Sequence, residues 1–113
     1  MTKEGTRHLT IVETPTFSKR RADLLGDEEY RLLQLALARN PELGAIIPGG
    51  GGIRKARWEL EGRGKRGGAR VVYYWAVSED LILLLFIYPK SERGDLTKDQ
   101  LRILAKLVKE EFK

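Results

Sequence analysis

The polar and apolar positions of the chain change period several times, and each change marks an element. His8 to Glu13 reads as a short strand; Pro15 ends it, and Thr14 or Thr16 is placed to cap a short helix carrying Phe17. Beyond Asp27 the apolar residues recur at helical spacing, with Tyr30, Leu33 and Leu37 flanked by Leu32 and Ala36 in one stripe. Asp27 is the expected cap of that helix, and Glu28 and Glu29 suit its positive first turn. Asn40-Pro41 stops it, because proline has no N–H to give and disfavours helix in the residue before it. Pro48 and the glycines Gly49 to Gly52 form a loop. From Ile53 to Glu61 the period becomes two: Ala56, Trp58 and Leu60 fall on one face, Lys55, Arg57 and Glu59 on the other, as in a sheet with one buried and one wet side. Ala69 to Val77 is a second such strand, rich in Val, Tyr and Trp. Ser78-Glu79-Asp80 is a turn, and Leu81 to Tyr88 is almost wholly apolar, the mark of a central strand. Thr97 and Gln100 spell a capping box for a last helix, with Leu96 and Leu101 as its staple and Leu101, Leu104, Val108 and Phe112 on its inner face.

The order strand, two helices, three strands, helix predicts a single α+β domain over residues 1–113. The three consecutive strands form an antiparallel meander. The helices are expected on one face of the sheet, leaving open the basic face to which Lys55 and Arg57 point. A chain of 113 residues is long enough to bury a core without staples. The absence of cysteine excludes disulfides, thiolate metal sites and a cysteine nucleophile, and accords with a reducing, cytoplasmic setting. The N-terminus has no apolar signal core, and the run from Leu81 to Tyr88 is too short to span a bilayer. The glycine run lacks the Gly-Lys-Ser/Thr ending of a nucleotide P-loop.

Charge changes the picture more than composition does. The net charge is +5, and between Gly49 and Trp75 seven basic residues meet only two acidic ones, whereas outside that segment fourteen face fourteen. The whole excess therefore sits in one quarter of the chain, a clustering that self-repulsion makes costly unless it meets an anion. Lys55 and Arg57 stand two apart on one strand, hence on one sheet face. Arg70 begins the next strand, with Arg63, Lys65 and Arg66 in the loop between; Tyr88 and Lys90 end the strand after that. Paired in order, these residues converge at one end of the sheet. Arginine grips phosphate bidentately and aromatic rings stack on unpaired bases, so the convergence suits a phosphodiester. Arg54 and Tyr74 are candidates for RNA contacts beside it, Tyr74 because it shares the parity of Arg70. Trp58 and Trp75 read as core anchors, Lys19, Arg20 and Arg21 as a solvated helix end, and His8 as a surface residue, since one histidine makes no metal site.

Three stretches resemble the RelE superfamily of toxins, most closely its HigB-type members: Gly51-Gly52-Ile53-Arg54-Lys55-Ala56-Arg57, then Gly64-Lys65-Arg66-Gly67-Gly68-Ala69-Arg70-Val71-Val72-Tyr73-Tyr74, then Ile87-Tyr88-Pro89-Lys90-Ser91-Glu92-Arg93-Gly94-Asp95-Leu96-Thr97. The resemblance runs from about Phe17 to the last helix. It implies a microbial RNase-like fold and a ribosome-dependent endonuclease that cleaves messenger RNA in the decoding site without metal or cofactor. It also implies a HigA-like antitoxin with a helix-turn-helix domain, through which alone operator DNA would be bound. In that reading Lys55 and Arg57 match the basic pair of the second strand, Arg70 the arginine of the third, and Lys90 the basic motif after the fourth. The tyrosine that the RelE pattern carries near the position of Thr97 is absent.

The chemistry expected of such a site is attack by the 2′-hydroxyl on its own phosphate. Arg57 and Arg70 are the expected stabilisers of the pentacoordinate phosphate. Lys55 is the expected base, and Lys90 or Tyr88 the donor to the leaving 5′-oxygen. Glu92 is an alternative base, weighed against a plain salt bridge near the helix start. Two other readings compete: a non-enzymatic ParE-like inhibitor of DNA gyrase on the same fold, and an RNA-binding module without catalysis. The dense basic residues on the second and third strands favour the nuclease.

Overall fold

The computed structural model describes residues 9–59, 68–92 and 94–112. In chain order the elements are β1 (Thr10–Glu13), α1 (Pro15–Leu24), α2 (Asp27–Arg39), β2 (Ala45–Ile46), β3 (Arg54–Trp58), β4 (Ala69–Ala76), β5 (Leu81–Pro89) and α3 (Lys98–Glu111). The strands form one sheet in the order β1-β5-β4-β3-β2. β3, β4 and β5 are the expected antiparallel meander, and β1 adds to the far side of β5 in parallel. The apolar run of β5 is thus central, with a strand on either side.

Both faces of that sheet are covered. On one, Phe17, Leu33 and Leu37 of α1 and α2 pack on Val71, Tyr73, Ile82 and Leu84. On the other, Leu101, Leu104 and Val108 of α3, with Phe112, pack on Val72, Leu83 and Leu85. The expectation of helices on one face only is therefore corrected: β4 and β5 are apolar on both sides, and each side needs a layer over it. Among the described residues, α3 leaves less covered the end of its face where β3 carries half-buried Lys55 and exposed Arg57.

Caps set the helix starts. Thr14 caps α1, accepting from Phe17 N at 3.1 Å and donating its own hydroxyl to the Leu85 carbonyl at 2.9 Å. Thr97 and Gln100 make the expected reciprocal box on α3. α2 begins one residue earlier than expected: Gly26 is its N-cap, and Glu29 reaches back to accept from Gly26 N at 3.1 Å. Asp27 is instead the first helical residue, paired with Arg21 at 3.2 Å. Trp58 and Trp75 pack against the α1/α2 core, as expected. Among the described residues no helix is long and apolar enough to cross a membrane.

β2 has no counterpart in the sequence reading, since two residues are too short to show a period. It is held to β3 by Gly44, where an added Cβ would stand 2.7 Å from the backbone carbonyl carbon of Lys55. Only glycine permits that approach. Gly44 N–H donates to the Tyr73 hydroxyl at 2.8 Å, that hydroxyl donates to the Pro41 carbonyl at 2.7 Å, and Arg54 donates to the Gly44 carbonyl at 2.8 Å. Burial pushes the Tyr73 phenol above its ordinary pKa, which keeps it a donor. Tyr73→Phe leaves the Gly44 N–H and the Pro41 carbonyl without this partner; a loss of about 1–3 kcal/mol is expected in urea denaturation, with an unchanged m-value.

Candidate active site

Strand register assembles the site. Arg57 of β3 lies opposite Arg70 of β4, and Arg70 lies opposite Tyr88 of β5. One row thus crosses three strands, with Lys55 two residues from Arg57 on the same face. Like charges directly opposite each other weaken a sheet. Here two guanidinium groups are set so, Arg57 exposed and Arg70 half-buried. Among the described residues neither is in a salt bridge with a carboxylate.

The acid of the site is Asp95, to which the sequence reading gave no role. Its carboxylate accepts a charge-assisted hydrogen bond from the Lys55 ammonium. That hydrogen bond, then the Lys55 charge, and at longer range the charges of Arg57 and Arg70, hold the Asp95 carboxyl below the ordinary value of 3.8. A depressed carboxylate favours the folded state above the ordinary pKa and loses that contribution as pH falls through the depressed value. The pairing therefore persists through neutral pH and breaks only in acid below about 4. Following the Asp95 carboxyl carbon by NMR should give a midpoint below 3.8, moving upward in Lys55→Met; an unmoved midpoint would contradict the pairing.

The segment carrying Asp95 is tied down from three sides. The Tyr88 hydroxyl donates to the Gly94 carbonyl at 3.3 Å. Arg20 donates to the Ile87 carbonyl at 2.8 Å, pairs with Glu92 at 2.7 Å and lies 4.9 Å from the centre of the Phe86 ring. Lys90 N–H donates to the Gly68 carbonyl at 2.9 Å, joining the turn after β5 to the start of β4.

Several expected site residues take other places. Arg54 lies one residue off the parity of Lys55 and Arg57 and holds Gly44 and Glu42, the latter at 3.7 Å, so it does not reach the row. Tyr74 packs its ring 5.4 Å from Phe112 under α3, four residues along β4 from Arg70, and so takes no place beside Arg70. Tyr88 is in the row but fully buried, its ring against Phe86 at 5.8 Å; it positions the Asp95 segment from beneath. Glu92 is in the salt bridge with Arg20. Arg20 and Arg21, expected to be solvated, are built in, Arg21 lying 4.5 Å from the centre of the Tyr30 ring. Lys90 is exposed, in the turn just past β5 and at the same end of the sheet as Arg70. Arg63, Lys65, Arg66 and His8 lie outside the described residues. Beside the row opens a cleft of about 380 Å³ whose lining includes Lys55, Arg57 and Asp95 together with Ala45, Pro48 and Leu96.

A family model described as the RelE toxin of the RelE / RelB toxin-antitoxin system matches residues 16–113. Among solved structures the chain is similar to one from the intact E. coli RelBE toxin-antitoxin complex, with a TM-score of 0.55 and 13% sequence identity, over 71% of this chain and 94% of that one. At that identity the likeness is one of fold.

Proposed function

The chain belongs to the RelE toxin family of toxin-antitoxin systems, and from that premise we propose that it is an endoribonuclease that cuts messenger RNA on the ribosome. The observation that carries this reading is the Arg57–Arg70 pair, two cations opposed across a sheet beside an open cleft. Such a pair is a cost to the fold and a benefit only to a ligand dense in negative charge.

The reaction needs three things of these side chains. The 2′-hydroxyl loses its proton and its oxygen bonds to the adjacent phosphorus. Arg57 and Arg70 take up the extra charge of the pentacoordinate phosphate. The bond to the 5′-oxygen breaks, that oxygen gains a proton, and the products are a 2′,3′-cyclic phosphate and a free 5′-hydroxyl. Lys55 keeps the base role expected of it, and Asp95, whose carboxyl is held below its ordinary value and is therefore a weak proton acceptor, positions it through their hydrogen bond. Lys90, exposed at the same end of the sheet, is the donor to the leaving oxygen in place of the buried Tyr88.

The partner in this reading is an antitoxin, as in the RelBE complex, of HigA-like kind with a helix-turn-helix domain; the setting is the cytoplasm. Incubation with translating ribosomes followed by primer extension tests the proposal. New 5′ ends within the message support it. An intact message with halted DNA supercoiling would point to the gyrase-directed branch of the superfamily.

A further inference from the structure

We infer that Arg20 of α1 is a positioning residue for the cut: it grips the end of β5 beyond a bulge at Leu85 and so fixes Lys90 at the end of the arginine row. The inference rests on the RNA-cleaving reading above and adds to it a residue that acts through Lys90 and not on the reacting atoms. The pairing of β4 with β5 is irregular. Val72 pairs with Phe86, but the next residue, Tyr73, pairs with Leu84, so β5 carries an extra residue, Leu85. The extra residue shifts the alternation of the strand. Ile82 and Leu84 pack in the α1/α2 core, and so does Ile87, while Leu83, Leu85 and Tyr88 pack on the α3 side. An unbroken period of two would turn Tyr88 to the face of Leu84. The bulge thus brings the end of β5 round to the face of the arginine row.

A bulge disrupts the ladder locally, so the strand beyond it needs another hold. β1 pairs with β5 only as far as Glu13 and Leu84. Past that pair the carbonyls of Leu85 and Ile87 are taken by side chains instead: the Thr14 hydroxyl donates to the first at 2.9 Å, and Arg20 Nε donates to the second at 2.8 Å. A second nitrogen of the same guanidinium donates to the Glu92 carboxylate at 2.7 Å. One rigid fork therefore holds the chain at residues 87 and 92, on either side of Lys90. The turn closes between them, with Glu92 N–H donating to the Pro89 carbonyl at 3.0 Å and Lys90 N–H to the Gly68 carbonyl at 2.9 Å. A salt bridge at the surface would by itself contribute little. This one is joined to a backbone carbonyl and to the Phe86 ring, 4.9 Å away, a combination that the single ammonium of a lysine does not match.

The test compares the full chain with Arg20→Ala, Arg20→Lys and Lys19→Ala in single-turnover cleavage over a range of programmed-ribosome concentrations. Arg20→Ala should cut about 10–100-fold more slowly at saturation, the scale of a small misplacement of a reacting group, with the half-saturating concentration unchanged. Arg20→Lys should recover only part of the rate, because it keeps a cation beside Glu92 without the two-point grip. Lys19→Ala removes an exposed cation from the same helix and should cut at the full rate. Hydrogen exchange at the Lys90 N–H should quicken about tenfold in Arg20→Ala, while the amides of β4 keep their protection. An undiminished rate in Arg20→Ala, an equal loss in Lys19→Ala, or unchanged exchange at Lys90 would overturn the positioning role and leave the RNA-cleaving reading standing. So would a loss that follows the unfolded fraction, or one confined to the half-saturating concentration. A message left intact by the unaltered protein would overturn both the role of Arg20 and the reading on which it rests.

Discussion

Replacing Arg70 with alanine is expected to slow cleavage of messenger RNA on programmed ribosomes by about 10²–10³-fold, the usual cost of removing one preorganised charge-stabilising donor. Arg70 stands mid-row, opposite Arg57 on one side and Tyr88 on the other. On the proposed reading, its removal takes away a cation that meets the phosphate most strongly when the phosphate carries most charge. The fold should not suffer. The side chain is half-buried and faces a like charge, so thermal unfolding should occur at the same temperature or slightly higher. Arg57→Ala should behave alike, and the double variant should be little worse than either single one, because groups that act as a unit are not additive. Arg70→Lys should fall between, keeping the charge but losing the bidentate grip. Rates from single-turnover primer extension, with melting curves of the same preparations, check all four. Undiminished cleavage by Arg70→Ala would remove the row from the mechanism.

Phe17→Ala should have the largest effect on stability, a loss of about 3–5 kcal/mol in denaturant unfolding. Phe17 is fully buried, its ring 6.0 Å from that of Tyr30, and it is the one fully buried residue of α1. The void would be walled by α2 and by β4 and β5, elements that cannot close on it without shifting the sheet. Arg20 sits on the same helix and anchors the turn after β5 through Glu92 and Ile87. The variant should therefore also lose activity in proportion to its unfolded fraction, and recover it on cooling toward the temperature of maximum stability. A loss under 1 kcal/mol would mean that α1 is not part of the main core.

The long elements were legible because their periods were unambiguous: the α2 stripe at Tyr30, Leu33 and Leu37, the alternation around Arg57, and the Thr97 box all stand as read. The arginine row was legible for the same reason, since a period of two and a short meander fix which residues meet. The placement of α3 was not. Periodicity shows that Leu101, Leu104 and Val108 face a sheet, but not which face; only the second apolar parity of β4, at Val72 and Tyr74, pointed to it. Asp95 was invisible because an acid in a turn carries no pattern, and its meeting with Lys55 spans forty positions of sequence. The burial of Tyr88 was not legible because parity gives a side chain's direction and not its depth. Arg54 and Tyr74 have the right charge and ring for RNA, but Arg54 holds the Gly44 carbonyl and Tyr74 packs on Phe112, pairings that residue type and parity do not reveal. β2 was missed for its length, although Gly44 beside it was a signal that two backbones approach closely there.

The central claim is that the row of Arg57 and Arg70, with the Lys55–Asp95 pair, directs a 2′-hydroxyl onto its own phosphate. The most direct measurement uses a ribosome-bound message carrying a single 2′-deoxy nucleotide at a mapped cut site. The account predicts cleavage of the all-ribose message to a 2′,3′-cyclic phosphate and a 5′-hydroxyl, and no cleavage at the deoxy position. Equal cutting of both messages, or translation arrest with both left intact, would contradict it.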